Sequence, residues 1–414
     1  MLACIPDLWY QLPLGVETLI PLVHPHGGMM ALGHWLQLSL SRGLGPILIG
    51  RLVETIGSAA AACEASQRDL AQIEGIGTRK ASVIYDSLRA AASEVEAELA
   101  KAAQRGVAVI SRDDEAYPPL LRSIPDPPAV LYLRGTLEPR DLHAVSIVGS
   151  RKCSLYGREQ ADRFGALLAG AGVTVVSGGA RGIDSAAHRG AMSHPQGRTV
   201  AVLGCGVDVV YPPENESLFD QIAARGVVIS EYTMGTPPTP ENFPRRNRII
   251  SGMSRGVLVI EADIRSGALI TARSACDDHS RPVFAVPGRV DNPLSAGPHQ
   301  LIRDGATIAT GLEDILDALG PVPHDVSEPT LFDTAEADTA PEVIITKPLT
   351  AAPGAILSPT QARIMEHLSV DPISVDRLIE QTSLPAESIL QEMTLLSLKG
   401  LVKRIDGQTY ARRR

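Results

Sequence analysis

Aromatic residues are scarce, with two Trp, eight Tyr and five Phe in 414 positions. Broad ring-lined surfaces are therefore excluded. The five cysteines (Cys4, Cys63, Cys153, Cys205, Cys276) lie far apart, with no C-x-x-C pair and no His at finger spacing. A disulfide framework and a zinc ribbon are excluded, and the usage fits a reducing compartment. No apolar run approaches the ~18 residues of a membrane span. The first 41 residues hold no Lys or Arg, so the basic start of a secretory signal is missing. No G-K-[ST] supports a P-loop, and G-x-G-x-x-G follows no strand candidate, which removes the usual dinucleotide fingerprint.

What is present is an ordinary globular composition, 44% hydrophobic and 21% charged, long enough for two to four domains. Net charge is −9, from 38 Lys+Arg against 47 Asp+Glu. Taken whole, that argues against a nucleic-acid partner, but the charge is uneven. Residues 321–357 carry six acids against one Lys, whereas 140–310 carry 18 basic residues against 16 acidic, 17 of the 18 being Arg.

Composition and period divide the chain. Residues 1–35, rich in Pro, Gly and His, read as a loose extension, and 36–105 as helical, broken at Gly43-Leu44-Gly45-Pro46 and Gly75-Ile76-Gly77. Residues 106–320 form an α/β domain that begins with a Pro-rich bridge. Its strand candidates are Val107–Ile110, Ala129–Leu133, Ala144–Val148, Val173–Ser177, Thr199–Leu203, Val227–Ser230, Val257–Glu261 and Pro282–Val286. Short, wholly apolar runs alternating with helical stretches indicate right-handed βαβ units around a parallel sheet. Residues 321–357 read as an acidic Pro-rich linker. In 358–414, three helix-like pieces (Pro359–Leu368, Val375–Gln381, Ala386–Leu398) precede a hairpin turning at Asp406-Gly407, the pattern of a winged helix.

Ligands of open parallel sheets bind beyond the carboxyl ends of the strands. After one strand stand Gly149, Ser150 and Arg151, followed by Ser154 and Tyr156-Gly157. After the next stand Ser177, Gly178, Gly179, Ala180, Arg181, Gly182 and then Asp184. Glycines admit close backbone approach and helix starts offer free N–H groups, so the two loops read as a phosphate cradle with an arginine each. Turns that need Gly for geometry alone are the competing reading. In Phe243-Pro244-Arg245-Arg246-Asn247-Arg248, three arginines in four positions oppose the dipole of the helix they start, a cost that a bound anion relieves. Ser266-Gly267 opens a third such helix. No catalytic constellation emerges: His188 reads as a packing residue, Cys205 as a small buried one, and no metal or cofactor is implied.

Together these segments resemble the DNA-processing protein A (DprA, or Smf) family of bacterial transformation. The likeness continues through Leu203-Gly204-Cys205-Gly206, Tyr211-Pro212, Ser230-Glu231-Tyr232, Phe284–Gly288 and Leu301–Ala306. It implies an extended Rossmann-like domain flanked by an N-terminal SAM-like or helix-hairpin-helix domain and a C-terminal winged helix. It further implies a non-catalytic cytoplasmic protein that binds and protects single-stranded DNA, dimerises and loads a RecA-type recombinase. The phosphate site would comprise Gly149, Ser150, Arg151, the loop Ser177–Gly182, Arg245 to Arg248, Ser266 and Gly267; with so few aromatics, base stacking is a minor term confined to Tyr156, Phe243, Tyr211 or Tyr232. Gly75-Ile76-Gly77-Thr78-Arg79-Lys80-Ala81 looks like a helix-hairpin-helix turn, with Gly43–Pro46 as a degenerate repeat. The third helix of the winged helix bears two acids and no base in its first turns, which favours protein contact or weak backbone binding over groove reading. Two other functions are weighed. A nucleotide N-glycosidase resembling phosphoribohydrolases needs P-G-G-x-G-T-x-x-E, and Pro287-Gly288-Arg289 breaks off before it. A nucleotide-sensing regulator with a winged-helix output is the other.

Overall fold

The computed structural model describes residues 26–319 and, after the acidic segment, much of 359–412. The linker 321–357 and the Asp406-Gly407 turn lie outside the described residues. Two compact units divide the chain, 1–331 and 332–414.

Six helices open the first unit: α1 (His26–Leu40), α2 (Pro46–Ile56), α3 (Ala59–Cys63), α4 (Gln67–Ala71), α5 (Thr78–Ala92) and α6 (Val95–Gln104). α1 begins inside the stretch 1–35 read as a loose extension. Leu32, Trp35 and Leu36 recur at helical spacing and are all buried, so tertiary packing overrides the glycines at its start. The two glycine turns match each other. Gly43 and Gly75 have φ of 85° and 88°, Leu44 and Ile76 are buried, and Gly45 and Gly77 stand as uncapped N-caps of α2 and α5. A positive φ is why each turn begins with glycine.

The sheet has nine strands: β1 (Ala108–Ser111), β2 (Val130–Gly135), β3 (Ala144–Val148), β4 (Thr174–Ser177), β5 (Thr199–Val202), β6 (Val227–Ser230), β7 (Gly256–Val259), β8 (Val283–Ala285) and β9 (Thr307–Ile308). Their order is β1-β2-β6-β5-β4-β3-β7-β8-β9, antiparallel for β1, β2 and β6 and parallel from β6 to β9. The eight strands legible as apolar runs are found; β9, two residues long and exposed, is an addition. Helices α7 (Pro119–Arg122), α8 (Leu155–Gly170), α9 (Ile183–Ser193), α10 (Glu216–Arg225), α11 (Asn242–Gly252), α12 (Gly267–Arg273), α13 (Ala296–Arg303) and α14 (Leu312–Leu319) complete the unit. Wholly buried strand faces are what helices on both sides require. The N-terminal helices share one core with the antiparallel edge, where Trp35, Leu36 and Ile84 cluster with Val109, Val130 and Tyr132. Residues 36–105 and 106–320 thus lie within a single unit.

The chain runs outward from β3 through β4, β5 and β6, then returns to place β7, β8 and β9 on the other side of β3. The loops after β3 and β7 therefore diverge and leave a crevice at this switch point.

In the second unit, α15 (Pro359–Glu366) and α16 (Val375–Thr382) accompany β10 (Ile373–Ser374), β11 (Val402–Arg404) and β12 (Thr409–Arg412), in sheet order β10-β12-β11. Ile364, Leu378, Ile389, Met393, Leu396 and Tyr410 form its core.

His188 is fully buried on α9. Thr199 Oγ1 donates to Val175 O at 2.6 Å, so at 2.7 Å it accepts from His188 Nδ1, while Nε2 has no partner. The ring is neutral, and burial pushes its pKa down to about 3. The unfolded chain takes up this proton near pH 6.5 and the folded one does not, so stability falls as pH drops through the window from 6.5 towards 3. Between pH 7.5 and 5 His188 alone accounts for a loss of about 2 kcal/mol. Urea unfolding of the protein and of His188→Gln at both pH values checks this. Parallel losses in the two would exclude His188 as the source.

Candidate nucleic-acid interface

The loop after β3 is fixed by a buried carboxylate at the end of β7. Glu261 accepts from Ser154 N at 2.8 Å, Ser154 Oγ at 2.7 Å and Asn292 Nδ2 at 3.1 Å, and its backbone oxygen accepts from Ser150 N at 2.6 Å. Ser154 also caps α8, its Oγ accepting from Gly157 N at 3.1 Å. A Cβ on Gly157 would collide with the Glu261 side chain, which explains the glycine. One acid thus holds three strand-end loops in register.

The second loop packs beneath the first. Ile183 N donates to Ser150 O at 3.3 Å, and Gly182, at φ 77°, has the Ser150 and Arg151 carbonyls where a side chain would go. Ser177 is fully buried and donates to Ile147 O at 2.6 Å. Gly179, at φ 65°, presses on Phe219, and Asn215 Nδ2 donates to its carbonyl at 2.9 Å. Asp184 Oδ2 accepts from Ala180 N at 3.3 Å.

Arg246, 3% exposed, forms the floor. Its Nη1 donates to Gly178 O at 2.7 Å and to Val202 O, while Nε has no partner. Burial pushes its pKa down to about 10, opposed by the attraction of Asp184, whose own carboxyl burial pushes up. Above this floor opens a cleft of about 530 Å³. The β3 loop contributes Gly149, Ser150 and Arg151, and the β4 loop Ala180. Phe243, Arg246 and Asn247 come from α11, Ser266 and Gly267 from the start of α12. The Arg151 guanidinium lies 4.9 Å from the centroid of the Phe243 ring, which in turn tilts against Tyr211 at 5.4 Å.

The structure divides the residues read as one site from sequence. Gly178 and Arg181 line a smaller recess beside the cleft, where Arg181 is half-exposed and forms a bidentate pair with Glu214. Ser177, Gly179 and Gly182 shape the loop from beneath and do not line the cleft. Tyr156 lies away from it, exposed, its hydroxyl donating to Pro287 O at 3.1 Å. Arg248 requires correction as a free phosphate ligand. Its Nη2 lies 2.6 Å from Glu231 Oε2 and its Nε 2.9 Å from Asp126 Oδ2, and the side chain is largely buried. Arg245 shares that face of α11 and lines a different groove. At 100° per residue, positions 245 and 248 stay together while 243, 246, 247 and 250 turn to the cleft. Tyr211, named from sequence as a stacking ring, does line the cleft, whereas sequence reasoning missed Pro238, Pro240, Asp263, Arg265 and Thr271 in its wall. Arg265, directly before the Ser266-Gly267 start, is the one whose position in the chain signalled it.

Cys205 is inert by geometry and charge: its thiol donates to Val209 O at 3.3 Å and burial raises its pKa to about 11. Among the described residues, no helix is long and apolar enough to cross a membrane, and no group of three or more His, Cys, Asp or Glu is placed to hold a metal.

The chain is similar to known proteins over most of its length. The family profile described as "DNA recombination-mediator protein A" matches residues 108–320, and the "DprA winged helix domain" profile matches 348–408. Protein Smf of Synechocystis sp. is 35% identical over 404 residues, spanning 92% of this chain and 98% of that protein. DNA processing protein DprA of Streptococcus pneumoniae is 43% identical over 203 residues, 49% of this chain and 71% of that protein. The X-ray structure of the Streptococcus pneumoniae DprA superposes with a TM-score of 0.59 at 37% identity, covering 69% of this chain and 95% of the other. The α/β domain is thus matched in sequence and in fold and the C-terminal winged helix in sequence, and the chain belongs to the DNA recombination-mediator protein A (DprA/Smf) family.

Proposed function

We propose that this chain binds and protects single-stranded DNA in the cleft above Arg246 and passes the strand to a RecA-type recombinase. The carrying observation is a cleft walled by glycine loops with the Arg246 guanidinium at its floor, where three arginines (Arg151, Arg246, Arg265) face two carboxylates (Asp184, Asp263). Such a floor calls for an anion, and a phosphodiester supplies one without any need for base identity. Binding is therefore sequence-tolerant and driven by counterion release. Titration of a labelled dT oligonucleotide across a salt series tests it. The expected result is log affinity falling linearly with log salt, with comparable affinity for mixed sequences. Salt-independent binding, or binding confined to one sequence, would overturn the reading.

The same reading makes the protein a binder and not an enzyme: the Cys205 thiol is protonated at neutral pH, and Glu261 is committed to Ser154 and Asn292. Release of adenine from AMP would instead establish the N-glycosidase alternative, and calorimetry showing free nucleotides bound more tightly than oligonucleotides would establish the sensor. Cytoplasmic location and a homodimer belong to this proposal. β9, a short edge strand with Ile308 47% exposed, is the sheet edge open to a second copy.

A further inference from the structure

α11 is a partition between two cavities. Behind the face that bears Arg246 lies a second groove of about 660 Å³, between α11 and the first glycine turn, Gly43 to Pro46. Three cations reach it: Lys80 from the first turn of α5, and Arg245 and Arg248 from α11. Both carboxylates that reach it, Asp126 and Glu231, are held by Arg248. Lys80 and Arg245 are left without an ion pair or hydrogen bond among the described residues, one on each wall. The apolar part of the lining includes Ile47, 50% exposed at the start of α2.

We propose that this groove is a second phosphate-binding subsite, which takes the backbone of the same single strand after it leaves the cleft. The argument rests on the function proposed above and on continuity. Phe243 and Pro244 line the cleft, and Arg245, the next residue, lines the groove, so a strand passing over the start of α11 moves from one to the other. The helix to be crossed is about 10 Å across with its side chains. Lys80 and Arg245 then flank the backbone from opposite walls, and Ile47 offers an apolar surface to a base. The matched geometry of the two glycine turns also acquires a purpose. One turn forms a wall of the groove, and α5, which follows the other, brings Lys80 to it.

The test compares dT oligonucleotides of about 6 and about 20 nucleotides, a range that brackets common single-strand site sizes, on the full-length protein and on Lys80→Glu/Arg245→Ala. Arg245 is exposed and Lys80 half-buried, and neither side chain has a hydrogen bond or ion pair among the described residues, so thermal unfolding should match that of the unaltered chain. For the unaltered chain the longer strand binds more tightly. In the variant that gain shrinks by roughly tenfold or more, and the salt slope for the long strand falls by about two, one per cation. Affinity for the short strand changes far less. An unchanged ratio of long-strand to short-strand affinity overturns the subsite and leaves the cleft reading standing, and the groove would then suit an acidic protein segment. No binding at either length by the unaltered chain overturns both.

Discussion

Arg151→Ala is expected to weaken binding of any single-stranded oligonucleotide by about 10- to 100-fold and to lower the salt slope by about one, with thermal unfolding unchanged. The magnitude is that of one charge-assisted hydrogen bond to phosphate, and the slope change is that of one released counterion. Arg151 is suited to this role because, among the described residues, its side chain has no hydrogen bond and no ion pair. It is exposed, and its guanidinium lies over the Phe243 ring, whose face orients it and leaves its N–H groups to a ligand. Its backbone is fixed, since Ser150 is tied to Glu261 and Gly182 packs under the Arg151 carbonyl. Arg181 differs in the way that matters. It is already paired with Glu214 and must exchange that carboxylate for a phosphate, so Arg181→Ala should weaken binding less than Arg151→Ala. Glu214→Gln, which frees the guanidinium, should strengthen it. Fluorescence anisotropy over a salt series measures all three. A change below twofold for Arg151→Ala would remove the residue from the interface.

Much of the fold was legible because the strands are buried on both faces and so read as uninterrupted apolar runs. β9 was not, since two exposed residues carry no pattern. The start of α1 was hidden because Gly27 and Gly28 are poor helix formers, whereas burial of Trp35 and Leu36 against the sheet edge decides the matter. The site was legible in its loops and illegible in its charges. Gly149 to Arg151 and the Gly178–Gly182 turn are local features that a glycine pattern reports. The fate of each arginine depends on partners far along the chain: Asp126 and Glu231 for Arg248, Glu214 for Arg181, and the carbonyls of Gly178 and Val202 for Arg246. A helix that opens Arg245-Arg246-Asn247-Arg248 therefore looks like one basic patch in sequence. In space it is a cleft floor, an internal ion pair and a groove wall. The excess of two basic residues over 140–310 says little by itself. What makes an anion site is which cations the fold leaves without carboxylates.

Arg198 shows the opposite outcome, a cation wholly consumed by the fold, and no motif announced it. It is 3% exposed. Nε and Nη2 grip the two oxygens of Asp141 at 2.6 and 2.8 Å, Nη1 meets Glu138 at 2.9 Å and Arg225 O at 3.1 Å, and Nη2 also donates to Thr136 O. The Asp141 carboxylate is itself buried and completed by Thr174 Oγ1 at 3.0 Å and Glu138 N at 2.9 Å. The cluster joins the segment entering β3, the start of β5 and the end of α10, at the amino ends of the parallel strands and so at the opposite end of the sheet from the cleft. Arg198→Met removes one partner and leaves the Asp141 charge and two carbonyls buried without compensation, an expected loss of roughly 3–5 kcal/mol. Adding Asp141→Leu removes the orphaned charge as well, and the double variant should recover part of that loss, because a buried ion pair replaced as a unit costs less than one broken in half. Urea unfolding of both single variants and the double variant provides the cycle. A loss below about 1 kcal/mol for Arg198→Met, or additive losses across the cycle, would show that the cluster does not hold the fold together as its geometry indicates.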